Sequence, residues 1–384
     1  MGGLTDMAVT DGETTTRVVS SVPGDYTITP VINGVFTSKN YNFTTSAVTV
    51  TVSQYNLGIS GITVNSKVYD GTTTVKASQI DYSNVYFDGI LPIDRQYMQN
   101  NGITGESQIT VVAEYDNADG TGKDAGTAKK VNVQITLNGD SYLAQRAFIN
   151  GDRNNQTETT ADITPRPIKV EANFTSVPYG GEIPAYTVSF KKTAAADSGL
   201  VSGETANASN VTLTCSYTTS SQVTQTEPEY LIITPSNLHD SASTTIKASN
   251  YSPMYVIGKL QVYAHQLDAP QTVWDTNNPG TITFNKVNPI GQVEVDSYVL
   301  KLQKKVSGTF TDIAGAGTTI VSDGTTSKYT YDGFKETVRS NGAGEYRVVA
   351  KAIASEVNNV NKINVQDSDF GTGTSLFATK DTFV

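Results

Sequence analysis

A chain of 384 residues has room for two to four domains at roughly 100–200 residues each. Its charged residues sum to a formal net charge of −10, which leaves no positive field to neutralise phosphates or hold an anionic membrane and argues against nucleic acid as a partner. With a single cysteine, Cys215, and two histidines, His239 and His265, an intrachain disulfide and cysteine-type zinc or iron–sulfur sites are excluded and histidine chemistry nearly so; no enzyme is expected, and no catalytic, cofactor-binding or metal residue.

The first residues, "MGGLTDMAVTDGE", contain neither a basic n-region nor an apolar h-region, and no run of 18 or more apolar residues follows anywhere, so no membrane insertion is expected. The start reads as a cut edge of a longer secreted protein. Thr, Ser, Asn, Val, Tyr and Gly dominate while helix formers are scarce, a β-rich composition. In chain order, apolar residues alternate at Val48, Val50 and Val52; Val131, Val133, Ile135 and Leu137; Ile168, Val170, Ala172 and Phe174; Leu260, Val262 and Ala264; Tyr298, Leu300 and Leu302; and Tyr346, Val348, Ala350 and Ala352. Each run predicts a strand with one face inward and one toward water, as antiparallel sheets require. No amphipathic helix is predicted. "DNADGTGKDAG" (116–126), "FINGDRNNQ" (148–156) and "KTAAADSG" (192–199) read as loops.

The stretch at 25–52 is similar to 229–262: each has Tyr followed by Ile-Thr-Pro, a loop, Asn-Tyr and a closing strand. In "ADITPRPIKVEA" (161–172) two prolines flank Arg166, fixing φ and withholding ladder donors, so the chain passes stiffly into a new sheet. Pro270 opens another pattern after "YAHQLDAP". The expected modules are 1–56, partial or atypical; 57–163; 164–265; 266–366; and a tail, 367–384.

The candidate sites favour structural readings. Tyr69-Asp70-Gly71 predicts a turn, with Gly71 at positive φ, Asp70 capping a backbone N–H and Tyr69 packed. Asp116, Asn117, Asp119 and Asp124 offer oxygens of the type calcium takes, but their spacing misses the Asp-x-Asp-x-Asp-Gly loop, so a solvated acidic hairpin is expected. Cys215 falls in phase with Val211, Leu213 and Tyr217 and reads as a buried small hydrophobe, while His239 and His265 read as solvated. Among the 20 tyrosines, Tyr217, Tyr298 and Tyr346 take inward phases; a sugar-stacking platform would have to come from loop tyrosines that the sequence does not rank.

"GITVNSKVYDGTTTVKASQI" (61–80), with "AGTAKKVNVQITLNG" (125–139) and "ITPRPIKV" (163–170), resembles the YDG-type domain of large bacterial surface adhesins. "IKVEANFTSVPYGGEIPAYTVSF" (168–190), with "GLVSGET" and its closing strand, resembles the MBG-type immunoglobulin-like module that partners it. "LDAPQTVWDTNNPGTITFNKV" (267–287), with "DSYVLKLQKK" and "GAGEYRVVAKAI", is similar to fibronectin type III modules: Trp274 and Phe284 stand where two Trp are frequent, and Tyr298 and Tyr346 match core tyrosines of the third and sixth strands. The resemblance implies an all-β fold of tandem antiparallel β-sandwich modules in an elongated string. It also implies a non-catalytic stalk, spacer or adhesive segment at a bacterial cell surface or secreted, monomeric, contacting a host glycan or protein ligand or cell-wall polysaccharide. The alternative is a glycan-binding accessory region of a secreted carbohydrate-active enzyme. Cross-links of Lys to Asn or Asp, found in some such surface modules, need three residues converging across a core, and the sequence singles none out.

Overall fold

The computed structural model describes residues 7–10, 13–16, 22–28, 46–150, 153–225, 229–278, 280–379 and 382. The fold is mostly β, built of largely antiparallel sheets that include a few parallel pairs, packed as sandwiches. It divides into two compact units, one of residues 1–167 with 194–203 and 247–252, the other of residues 168–193, 204–246 and 253–384. Among the described residues no helix is long and apolar enough to cross a membrane.

In the first unit, one sheet runs Ile109–Tyr115, Gly126–Leu137, Glu158–Thr164, Lys67–Val68, and a second runs Ala147–Ile149, Tyr55–Ser60, Tyr86–Asp88. Ile109, Val111, Ala113 and Tyr115 are buried while the residues between them are exposed, so this strand has the strict alternation of a sheet with one wet face. Val131 and Val133 are buried as predicted, with Ile135 and Leu137 half-buried near the strand end. The acidic stretch from Asp116 is the hairpin loop joining Ile109–Tyr115 to Gly126–Leu137. Val48 and Val50 depart from expectation. Among the described residues their strand, Val48–Val52, pairs with Gly24–Ile28 alone, and both side chains are exposed. The related stretch at 229–262 makes the same kind of antiparallel pair, Leu231–Ser236 with Gly258–Tyr263. Much of the first copy, residues 29–45, lies outside the described residues, as do 151 and 152 of the loop at 148–156.

The second unit holds two sandwiches. One has a sheet of Val188–Lys191, Arg166–Ala172 and Tyr251–Val256, of which residues 166–167 and 251–252 count with the first unit, and a sheet of Thr175–Pro178, Gly258–Tyr263, Leu231–Ser236 and Thr212–Thr214. The other sets Thr272–Trp274, Ile282–Asn285 and Lys328–Tyr331 against Thr309–Val321, Val295–Val306, Gly344–Ala354 and Ser375–Ala378, a fibronectin type III-like arrangement of seven strands. Its core is aromatic at the centre. Phe284 and Tyr329 stack at 5.4 Å, each 4.9 Å from Tyr298, and the buried Trp274 donates its indole N–H to the Tyr346 carbonyl at 3.2 Å. The Tyr346 hydroxyl turns back to the Gly342 carbonyl, which pins the corner where its strand begins. Ser375–Ala378, within the stretch expected as a tail, is the edge strand of this sheet.

The sequence predicts no amphipathic helix, yet the chain forms a helix at Pro92–Asn100 and a shorter one at Lys335–Ser340. Pro92 at the first turn costs no hydrogen bond, and Asp94 lies near the positive end of the helix. Only Asp94 and Met98 of this helix are buried, an i, i+4 pair with a charged member, so no apolar stripe announces it in the sequence.

Candidate functional site

Three constellations bring chemistry-bearing side chains together. The first is the Lys-x-Tyr-Asp-Gly-Thr stretch. Lys67 lies on a strand paired in parallel with Ile163 and Thr164, which turns its side chain inward. Its ammonium donates to Asp70 Oδ1 at 2.8 Å, the Thr72 carbonyl at 2.8 Å, the Thr72 hydroxyl at 3.2 Å and the Thr74 carbonyl at 3.1 Å, with the Tyr115 ring centroid 5.4 Å away. Four acceptors around three N–H bonds leave nothing to offer a ligand. Asp70 Oδ1 also accepts from the Thr72 N–H at 3.0 Å. Burial would raise the Asp70 carboxyl, but the Lys67 and Thr72 hydrogen bonds outweigh it and hold the pKa below the usual carboxylate value. Burial first, then the carboxylates of Asp162 and Asp70, push the Tyr115 phenol up to about 12.

Gly71 has φ +77°, and a Cβ there would lie 3.0 Å from Val201 Cγ1. Tyr69 is buried edge-on against Tyr251, with ring centroids 5.7 Å apart. Arg166 gathers three carbonyls, Gly199 at 2.9 Å, Ser198 at 3.2 Å and Tyr69 at 3.2 Å. The stretch is thus a turn locked by Lys67 and Arg166, as the turn reading expects for residues 69 to 71. The Lys67 ammonium finds its hydrogen-bond partners within a few residues, whereas Arg166 reaches Ser198 and Gly199 and, 97 residues back in the chain, Tyr69.

In the acidic hairpin, Asp116, Asn117 and Asp119 each use a side-chain oxygen to accept a local backbone N–H, from Ala118, Gly122 and Thr121 respectively. Asp124 turns away to Lys247 at 2.7 Å and Asn250 at 2.9 Å. The four oxygens do not converge, and among the described residues no group of three or more His, Cys, Asp or Glu side chains is placed to hold a metal ion. Cys215 keeps the expected phase but is half-buried. His239 and His265 are half-buried rather than solvated, and a ring nitrogen of each faces a backbone carbonyl, Asn237 at 2.8 Å and Tyr179 at 3.1 Å.

The second constellation surrounds the unforeseen helix. Asp94, 2% exposed, accepts from the Tyr55 hydroxyl at 2.8 Å and the Tyr142 hydroxyl at 2.7 Å, and its Oδ1 lies 3.7 Å from Arg146 Nε. Burial, reinforced by the Asp94 hydrogen bond and charge, drives the Tyr55 phenol far above its ordinary value. The Arg146 guanidinium lies 3.9 Å over the Tyr142 ring, and Tyr97 stacks on the same ring at 4.6 Å and 11°. Two groups that close cannot share one face, so the order is Tyr97, Tyr142, Arg146. Tyr97 is 44% exposed.

The third lies in the second unit, where Asn364 donates to the Gln222 side chain and accepts from the Val223 N–H at 3.0 Å. Beside it opens a cleft of about 550 Å³ lined by amides, Glu229, Val360 and Ile363.

No protein-family model matches the chain, and no curated protein matches it. Among solved structures it is similar to domains A168–A170 from titin, at 10% identity and TM-score 0.20, covering 71% of this chain and 93% of that one. It is also similar to chicken CNTN1 FN1–FN3 domains, at 7% identity and TM-score 0.18, covering 71% and 90%. A third is the streptococcal ancillary pilin, at 11% identity and TM-score 0.14, covering 71% and 72%.

Proposed function

We propose that this chain is a non-catalytic structural and adhesive segment of a bacterial cell-surface or secreted multi-domain protein, a stalk or spacer that carries tension between its ends. The observation that supports this reading most is a recurring pairing. In each sandwich, a strand near the entry pairs in parallel with one near the exit: Lys67–Val68 with Glu158–Thr164, Thr175–Pro178 with Gly258–Tyr263, and His265–Gln266 with Val365–Gln366. Parallel strands enter and leave at opposite poles, so tension along the chain loads their hydrogen bonds together in shear, whereas an antiparallel pair pulled from one end opens bond by bond. The YDG-type and MBG-type resemblance of residues 57–265 and the acidic, threonine-rich composition support the surface setting.

Single-molecule pulling tests the reading, because forced unfolding reports the unfolding barrier in the pulled direction. With handles at the two ends, each sandwich is expected to break at a higher force than the pair Thr212–Thr214 with Leu231–Ser236, pulled from Thr212 and Ser236 in a Cys215→Ser background. End-to-end unfolding at forces no higher than that reference would refute the tension-bearing role.

A further inference from the structure

The geometry points to a carbohydrate-binding platform on the first unit, formed by the outward face of Tyr97 and taking a neutral pyranose. The inference stands apart from the tension-bearing role, since the platform would work on a slack chain.

Three observations carry it. Tyr97 is exposed yet fixed: its ring lies flat on Tyr142, which Arg146 covers from behind, while the Tyr142 hydroxyl is tied to buried Asp94. Burying a carboxylate with a guanidinium is a weak route to stability, and here the arrangement holds an aromatic stack rigid at the surface. The stack is also electrically quiet. The Asp94 charge lies beneath it, countered by Arg146 and two phenol hydroxyls, so nothing at the ring selects an anion or a cation.

The third observation is the rim. Ile93 lies one turn before Tyr97 and Asn100 one turn after it on the same helix face, and Asn101, which caps the helix by donating to the Tyr97 carbonyl, follows; all are exposed. A flat apolar face with amides at one end matches a sugar ring, which has an apolar C–H face and hydroxyls at its edge that both donate and accept. One ring and one aliphatic side chain are a small footprint beside the roughly 800 Å² each partner buries in a typical protein interface.

The test begins with the unmodified chain on an array of neutral and acidic oligosaccharides, followed by saturation-transfer NMR and titration with the neutral glycan it retains. Tyr97→Ala is expected to weaken binding about tenfold or more, Tyr97→Trp to keep it, and Tyr86→Ala, at another exposed tyrosine, to leave it unchanged. Tyr142→Phe, which frees the stack from Asp94, should weaken it by a smaller factor. If Tyr97→Ala does not fold, Tyr97→Gln takes its place. Retention of no neutral glycan, retention of acidic glycans alone, or binding that survives loss of the Tyr97 ring would each overturn the proposal.

Discussion

Lys67, 7% exposed, shows how a single side chain holds the turn that follows it. Its buried ammonium satisfies two carbonyls, a hydroxyl and Asp70, which lie on the half-buried and exposed turn around it. Lys67→Met keeps most of the aliphatic volume and removes the charge, and is expected to destabilise the first unit by roughly 1–3 kcal/mol, since it leaves these acceptors without their common donor. The same substitution has a signature in pH. The Asp70 carboxyl has its pKa lowered in the folded state, so its contribution is fully present above the unfolded value of about 3.9 and is lost as pH falls through the folded pKa. Denaturant melts in the acid range should therefore show wild-type stability falling through that window and Lys67→Met falling less. Equal acid slopes in the two proteins would remove Lys67 as the cause of the lowered Asp70 pKa.

At the scale of elements, what the sequence discloses depends on whether burial is periodic. The strands Val295–Val306 and Gly344–Ala354 are legible because Tyr298, Leu300, Leu302, Tyr346, Val348, Ala350 and Ala352 alternate with more exposed positions over a long span. Val48 and Val50 alternate just as well and are exposed, because alternation states which residues share a face and not whether a second sheet covers it. The helix Pro92–Asn100 escaped because its inward residues are Asp94 and Met98 while Ile93 and Tyr97 face out, the reverse of the usual stripe. The sugar platform escaped with it, since the tyrosine of interest lies on that helix and not in a loop. The acidic hairpin was legible for a different reason: Asx turns are local, and Asp116 and Asp119 each bond a backbone N–H two residues on. Replacing both with Ala is expected to leave the melting temperature nearly unchanged, with or without added calcium. A calcium-dependent rise in the wild type that the double variant lacks would reveal a bound ion, because a ligand of the folded state stabilises it by mass action.

At the scale of the molecule, the second unit joins its two sandwiches through contacts that composition alone does not announce. A single cluster of buried apolar side chains runs from Ala172 to Ala378 across both. Gly180, with φ +75°, approaches so closely that a Cβ would lie 2.9 Å from the Gly291 nitrogen, and His265 donates its backbone N–H to the Asn364 carbonyl at 2.9 Å. Asn364 is held in turn by the Asn359 side chain, which accepts its N–H at 2.9 Å, and positive-φ residues at Asn358, Asn361 and Lys362 shape the loop that delivers it. Such a joint should make the two sandwiches unfold together. The chain supplies a probe for each, since its one Trp, Trp274, lies in the core of the C-terminal sandwich and its one cysteine, Cys215, in the preceding one. In denaturant, Trp274 fluorescence and Cys215 thiol reactivity are expected to give one midpoint in the wild type, the mark of a cooperative transition. Asn364→Ala leaves the Val223 N–H without its acceptor, at a cost of about 1–3 kcal/mol, and is expected to part the two midpoints. Midpoints that already differ in the wild type would mean that the sandwiches are merely adjacent, and the joint would then contribute contact without cooperativity.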